Sequence, residues 1–143
     1  MSNSEPGPVT GCAAVVWLGE EVLLIRRSKP PLKGQWSLPG GRQKLGETMR
    51  ECALRELKEE TGIEAEILGL VDVVDAIYPG TGGAPGSHYA LIDFAACVTG
   101  GELKAGDDAR EAQWHAADSL EGLGLWSETL RVIRAARQFF VAP

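Results

Sequence analysis

No stretch of this 143-residue chain approaches the roughly 18 consecutive apolar residues that a membrane-spanning helix needs. The opening segment "MSNSEPGP" lacks the basic-then-apolar order of a secretory signal. Both absences point to a cytoplasmic protein with no membrane partner. Cysteine is scarce as well. Cys12, Cys52 and Cys97 are odd in number, far apart, and form no CxxC, which argues against a disulfide framework or a zinc site and suits three buried thiols in a reducing compartment. Positive charge is in deficit, with 14 Lys and Arg against 20 Asp and Glu and a formal net charge of −6. That balance argues against sequence-independent binding to a nucleic-acid polymer. A free nucleotide is a different matter, because a metal ion can hold a small phosphate ligand against carboxylates. Long linkers and internal repeats are missing too, and 44% hydrophobic residues suffice for one core. Residues 9–143 are therefore expected to form a single domain behind a flexible lead over residues 1–8.

What is present is a succession of strand and helix signals. "VTGCAAVVWL" and "EVLLIRR", separated by Gly19, read as paired strands. "SKPPLKGQ" is a loop, since adjacent prolines deny the chain both helix and ladder, and "WSLPGG" is a short strand running into a glycine turn. Thr48 with Glu51 three residues on makes a capping box, and Gly62 stands where a helix end takes a left-handed residue, so a helix is predicted over 48–61. Its apolar stripe is Met49, Ala53, Leu54 and Leu57. "IEAEILGLVDVVDAIY" is a strand with a bend at Gly69, "PGTGGAPGS" a mobile surface loop, and "HYALIDFAACVTG" another strand. "GELKAGDDAREAQ" reads as a polar connection, "WHAADSL" as a short strand and turn, and "SETLRVIRAARQFF" as a terminal amphipathic helix capped by Ser127. Together these describe a mixed-sheet α/β domain with helices packed on its faces. Trp36 and Trp114 are expected in its core.

The first of these helices poses a physical problem. Glu56 and Glu60 are i,i+4 and Glu56 and Glu59 are i,i+3, so three carboxylates crowd one edge. Like charges at that spacing oppose the helix by about 0.2–0.5 kcal/mol per pair. A bound divalent cation would offset the repulsion.

The same segment spells out Gly41, five residues, Glu47, seven residues, Arg55-Glu56-Leu57, one residue, Glu59-Glu60, one residue, Gly62-Ile63. At average composition a chance match has a probability on the order of 10⁻¹⁰ per start. With these residues the chain resembles the Nudix hydrolases, and the upstream "LPG" and "VLLIRR" are similar to that family's approach to its box. The resemblance implies an α/β/α sandwich around a mixed sheet. It implies attack of water on a pyrophosphate within a nucleoside diphosphate linked to another group. It also implies Mg²⁺ or Mn²⁺ bound by Glu56, Glu59 and Glu60, hard oxygen donors on a rigid element, with a Gly40 carbonyl turned toward the metal by the glycine pair. Glu47 would reach back to the cluster, and Arg55, i,i+4 from both Glu51 and Glu59, would hold a carboxylate in place. Relatives differ in the general base. Some use the acid matching Glu56, others an acid from a later loop, where Asp107, Asp108 and Glu111 stand here. Homodimers are common among them.

Substrate contacts are less determined. Arg27 ends a strand before the site and either meets a substrate phosphate or faces solvent. His88 follows the glycine loop and either touches the base or finishes a strand edge, whereas His115 beside Trp114 reads as structural. Tyr78 and Tyr89 are placed to stack on adenine, and the glycine loop is expected to be a lid that selects the linked group. Pro79, sixteen residues past Ile63, resembles a feature of ADP-ribose pyrophosphatases, while Tyr78 is close to a tyrosine of diadenosine polyphosphate hydrolases. Leu32 and Trp36 break the coenzyme A pyrophosphatase motif, and the long NADH-pyrophosphatase motif is absent. ADP-ribose or a related sugar nucleotide is thus the leading substrate. The alternatives are a MutT-type nucleoside triphosphate pyrophosphohydrolase and a dinucleoside polyphosphate hydrolase. A nucleotide sensor without catalysis is disfavoured by the intact Glu47, Glu56, Glu59 and Glu60.

Overall fold

The computed structural model describes residues 7–28, 32–106 and 109–140. Strand β1 (Val9–Val15) takes up the first apolar run, and after Val16 the chain enters β2 (Trp17–Leu18). Of this run, β2 alone pairs with β3 (Glu21–Arg27), through Trp17↔Val22 and Leu18↔Glu21. The expected pairing of 9–18 with 21–27 is therefore corrected. Gly19, at φ 63°, turns a two-residue ribbon, and β1 goes to another sheet. That sheet has the order β5 (Gly40–Arg42), β1, β7 (Pro85–Gly101), β6 (Ile63–Pro79). β1 and β7 are parallel and the other neighbours antiparallel, so a mixed sheet forms as expected. In the smaller sheet β3 is central, flanked by β2 and β4 (Trp36–Ser37) on one side and β8 (Ala109–Ala116) on the other.

Helix α1 spans Met49–Thr61 with both halves of its capping box made: Glu51 N donates to Thr48 Oγ1 at 3.1 Å and Thr48 N to Glu51 Oε1 at 2.9 Å. Gly62 ends it at φ 77°. The buried stripe is rotated from the predicted one. Cys52, Ala53 and Leu57 are buried, Leu54 is half-buried and Met49 is 42% exposed. Cys52 and Ala53 pack with Cys12, Ile92 and Phe94, and Leu57 with Ala14, Val16 and Ile63. On the other face of the large sheet, Val15, Val74 and Ala95 meet Val132 and Ile133 of α2 (Ser127–Ala135). Trp17 Nε1 ties that helix down by donating to Ile133 O at 3.0 Å. Layers of helix, sheet and helix result. The cap of α2 differs from expectation: its N-cap is Trp126, and Ser127 is the first helical residue, with no side-chain cap bond.

The β6–β7 hairpin decides which residues reach the substrate side. Its ladder runs out to Tyr78↔Ser87 and Pro79↔Pro85, so both ends of the glycine-rich segment are strand and the connection shrinks to residues 80–84. Prolines at the tip are tolerated because no inner ladder bond is lost there. The bend at Gly69 is a bulge, and the Phe139 ring lies where a Gly69 Cβ would be. Alternation along β7 sends Leu91 and Ala95 to the α2 side and Ile92 and Phe94 to the α1 side. The polar connection after Gly101 is shorter than expected, because Ala109–Ala116 is already β8. Asp107 and Asp108 lie outside the described residues, as do residues 1–6 of the expected lead. Trp36 and Trp114 are half-buried and pack on the core's margin. Among the described residues no helix is long and apolar enough to cross a membrane.

Candidate active site

The carboxylates of α1 meet the rest of the site across a strand that carries almost no side chains. Gly40 N donates to Glu60 Oε1 at 2.9 Å. A Cβ on Gly41 would fall within the Glu56 carboxylate, and one on Gly40 would stand 2.6 Å from Cys12 O. Neither glycine has positive φ; both are paired strand residues, opposite Ala13 and Cys12. The expected glycine turn is thus corrected. Glycine serves close approach here rather than reversal of the chain, and the Gly40 contact observed is its N–H to Glu60.

Arg55 organises the cluster. Its Nε and Nη2 bind Glu47 at 2.6 and 3.1 Å, and its Nη1 donates to Glu56 Oε2 at 2.9 Å and Glu59 Oε1 at 3.0 Å. Nη2 also reaches Arg42 O at 3.1 Å. The expected hold on a carboxylate is present, but the acids are Glu47, Glu56 and Glu59. Glu51 is occupied by the helix cap. A planar guanidinium suits this, since it offers donors in several fixed directions. Hydrogen bonding from Arg55 holds the Glu47 carboxyl down at about 2.

A cavity of about 610 Å³ opens beside the cluster, a size ordinary for small-molecule sites. Glu56, Glu60, Gly40 and Gly41 line one part of it, and Arg27, Tyr78 and Tyr89 line others. The two tyrosines make an edge-to-face pair with centroids 6.2 Å apart. Five expected site residues do not line it, Glu47 and Arg55 of the cluster just described among them. Glu59 has a side chain 39% exposed and is held by Arg55. His88 pairs with Asp75 at 2.9 Å, and strand alternation puts it on the opposite face of β7 from the cavity-lining Tyr89. Glu111 is not on a loop but on β8, across from Arg26, whose Nη1 it accepts at 3.2 Å.

The donor chemistry fits a hard divalent cation. Glu56 and Glu60 bring carboxylate oxygens one helical turn apart to the same cavity. The nearby sulfurs offer no competing thiolate, since burial pushes the Cys12 thiol up to about 12 and raises Cys52 as well. Among the described residues no three His, Cys, Asp or Glu side chains close around a single point. The carboxylates are spread over Arg55 and Gly40.

Asp93 was not anticipated. It is the one charged residue between Tyr89 and Val98, and that isolation in an apolar strand was the available signal. It lines the cavity and is only 5% exposed. Burial, aided by the negative charge of Asp72 and opposed by Arg131, raises its carboxyl from 3.8 to about 7. The folded chain therefore keeps a proton that the unfolded chain gives up. The stability this provides is complete below pH 3.8 and is lost as pH rises through about 7, an effect of roughly 4 kcal/mol. Glu47 has the opposite sign, with stability present above 4.5 and lost as pH falls toward about 2. Melting temperature should accordingly decline from pH 4 to pH 7 in the native protein, and the decline should flatten in Asp93→Asn, which has no proton to lose. Parallel curves for the two proteins would show that Asp93 is not desolvated.

Comparison with known proteins agrees with this geometry. The NUDIX domain family matches residues 8–136, and the chain belongs to the Nudix family. Its enzyme class is Nudix pyrophosphohydrolase, a class that generally uses divalent metal ions. It is 37% identical over 123 residues to an ADP-ribose pyrophosphatase of Methanocaldococcus jannaschii, covering 86% of this chain and 70% of that one. It is 33% identical over 124 residues to the human 8-oxo-dGDP phosphatase NUDT18, spanning 84% of this chain but only 36% of that protein. Among solved structures, a MutT NUDIX hydrolase from Burkholderia pseudomallei superposes with a TM-score of 0.78 at 29% identity, covering 91% of this chain and 98% of that one. The NUDIX domain of Shewanella oneidensis NrtR, complexed with ADP ribose, shares the fold with a TM-score of 0.73 at 20% identity, covering 96% and 91%.

Proposed function

We propose that the protein hydrolyses the pyrophosphate of ADP-ribose or a related sugar nucleotide, using Mg²⁺ or Mn²⁺ held by Glu56 and Glu60. The observation that carries this reading is the arrangement of those two carboxylates at one part of a cavity whose wall elsewhere carries Tyr78 and Tyr89. The similarity to a named ADP-ribose pyrophosphatase over most of this chain supports the choice of substrate. Glu56 and Glu60 would repel a pyrophosphate beside them, and a cation between the two carboxylates would offset that repulsion. When bound, such a cation neutralises phosphate oxygens and acidifies a coordinated water. The remaining work falls to this chain's side chains. Glu60, fixed by Gly40 N, and Glu56 present the oxygens that hold the cation. Arg55, with Glu47 and Glu59, fixes the orientation of Glu56. Arg27 supplies positive charge toward a phosphate.

Glu56 is the acid we assign to receive the water's proton. The ion pair of Glu111 with Arg26, outside the cavity lining, argues against the later acid. Water's oxygen bonds to one phosphorus, the bridging P–O bond breaks, and AMP and ribose 5-phosphate leave. A panel of ADP-ribose, UDP- and GDP-sugars, dinucleoside polyphosphates, nucleoside triphosphates and 8-oxo-dGDP with Mg²⁺ tests the reading. ADP-ribose should lead. Preference for 8-oxo-dGDP would favour the second reading, which the resemblance to NUDT18 supports.

Tyr78 and His88 divide cleanly in this account. Tyr78→Ala should raise KM for ADP-ribose about tenfold, the order of one lost base–aromatic contact. His88→Ala should leave KM unchanged, since His88 faces away from the cavity. Equal effects from both would mean that the hairpin acts as a whole.

The free thiols Cys12, Cys52 and Cys97 suit a cytoplasmic location, and the net charge of −6 suits a free nucleotide over a polymer. A homodimer joined along β6, the sheet's edge strand, would cover Leu70, Val73 and Ile77, which are 49%, 51% and 57% exposed. Sedimentation would decide that point.

A further inference from the structure

Asp93 is a buried carboxyl that no hydrogen-bond donor among the described residues satisfies. It receives no hydrogen bond or ion pair from any described residue, and Arg131, the cation near it, is engaged by Asp72 and Glu128 at 2.8 Å each. Its oxygens are not sealed in protein, because the residue lines the cavity. A buried polar group without a partner is strongly unfavourable, and a ligand donor arriving from the cavity would relieve it. Position supports the same idea. Asp93 is the register partner of Ala13, and Ala13 of Gly40, whose N–H holds Glu60. Two strand spacings, about 9.6 Å, therefore separate Asp93 from the strand that holds the cation-binding carboxylate. That is the reach of a nucleotide from its phosphates to its base. Leu91 and Tyr89 follow on the same strand, and both line the cavity as apolar and aromatic surface for the ring.

We propose that Asp93, at the buried wall of the cavity, reads the edge of the nucleobase and selects adenine. The inference rests on the reading of the cavity as a nucleotide site. A protonated carboxyl offers one O–H donor and one C=O acceptor side by side. Adenine offers the complement, an amino N–H beside a ring nitrogen. Guanine offers two adjacent N–H donors, which match the ionised carboxylate instead. Burial holds the Asp93 proton up to about 7, so adenine preference is a property of the lower pH range and weakens above it. The charged and titratable groups that face Asp93 or share its cavity are Asp72 on β6, Glu128 and Arg131 on α2, Glu56 and Glu60 on α1, Arg27 on β3, Arg42 and Lys44 at the end of β5, and the Tyr78 and Tyr89 phenols. The Cys12 thiol on β1 stays neutral, since it ionises only at about 12.

The test is calorimetric binding of AMP and GMP at pH 6 and pH 8, which needs no turnover. The ratio of the two affinities cancels the titration of their shared phosphate. In the native protein the AMP-to-GMP ratio should fall about tenfold from pH 6 to pH 8, the order of one hydrogen bond won or lost. Asp93→Asn carries a fixed donor and acceptor, so it should retain the adenine preference and lose the pH dependence. Asp93→Ala should weaken AMP about tenfold and GMP far less at pH 6. A ratio unchanged by pH in the native protein, or an Asp93→Asn ratio that still follows pH, overturns the proposal. Should Asp93→Ala fail to fold, the Asn variant alone decides. The pH-dependent AMP preference without hydrolysis of ADP-ribose would sink the proposed activity and leave the base-reading role standing. Hydrolysis with a flat ratio would do the reverse.

Discussion

Glu60→Gln is expected to fold normally and to lose about 10³-fold in kcat, the order seen when one strong electrostatic contact to a transition state is removed. Glutamine keeps an oxygen that can accept the 2.9 Å bond from Gly40 N, so the carboxamide sits where the carboxylate sat. What disappears is one negative charge. A neutral amide oxygen is a far weaker ligand for a hard cation, and raising Mg²⁺ should restore only part of the rate. Glu56→Gln should behave alike, because its carboxylate lines the same cavity. Glu60→Gln should not melt earlier than the native protein, since the like-charge repulsion along that helix edge is relieved, whereas Glu56→Gln also gives up its 2.9 Å ion pair with Arg55 and should melt somewhat earlier. Near-native turnover at saturating Mg²⁺ in either one would remove that residue from the site.

Arg55→Ala should be the most destabilising single change in the cluster. The guanidinium binds Glu47, Glu56 and Glu59 at once, and its side chain is 21% exposed. Its loss leaves three neighbouring carboxylates facing one another, which we place at about 2–3 kcal/mol, somewhat below the cost of breaking a fully buried pair. A divalent cation would neutralise part of the same charge. The stabilisation by Mg²⁺ seen in a thermal melt should therefore be larger in Arg55→Ala than in the native protein, even as kcat falls. Arg55→Lys should recover little, because one ammonium cannot span the fork that grips Glu47. Equal Mg²⁺-induced shifts in native and Arg55→Ala proteins would show that Arg55 and the cation act on different acids.

The signals around α1 were legible in the sequence, whereas the cap of α2 and most long-range placement were not. The capping box at Thr48 and Glu51 and the left-handed Gly62 depend on a few adjacent residues, and all three are as expected. The spacing of Glu56 and Glu60 behind Gly40 and Gly41 is equally local, and these four residues do line one cavity. The glycines themselves were assigned the wrong task. Whether a glycine turns the chain or admits a neighbour depends on what packs against it, and Glu56 reaches Gly41 only in the folded protein. β1 was paired with its sequence neighbour, whereas its partner β7 lies some eighty residues on. His88 and Tyr89 are adjacent in sequence yet face opposite sides of β7, so one residue of register separates the cavity from the α1 side. Glu111 looked like a loop acid because "GDDAREAQ" is polar, but pairing with β3 extends β8 through it. Asp93 escaped notice because its burial is set by α2, β6 and the cavity together, none of which its own strand reveals.

Incubating the purified protein with ADP-ribose, with Mg²⁺ and separately with excess chelator, bears on every part of this account at once. The account predicts AMP and ribose 5-phosphate in equal amounts with the cation and no reaction in chelator, with one oxygen from labelled water in one of the two phosphates. Both products should fall together by about 10³-fold in Glu60→Gln. Tight binding of ADP-ribose with no product, or cleavage that persists in chelator, would contradict it.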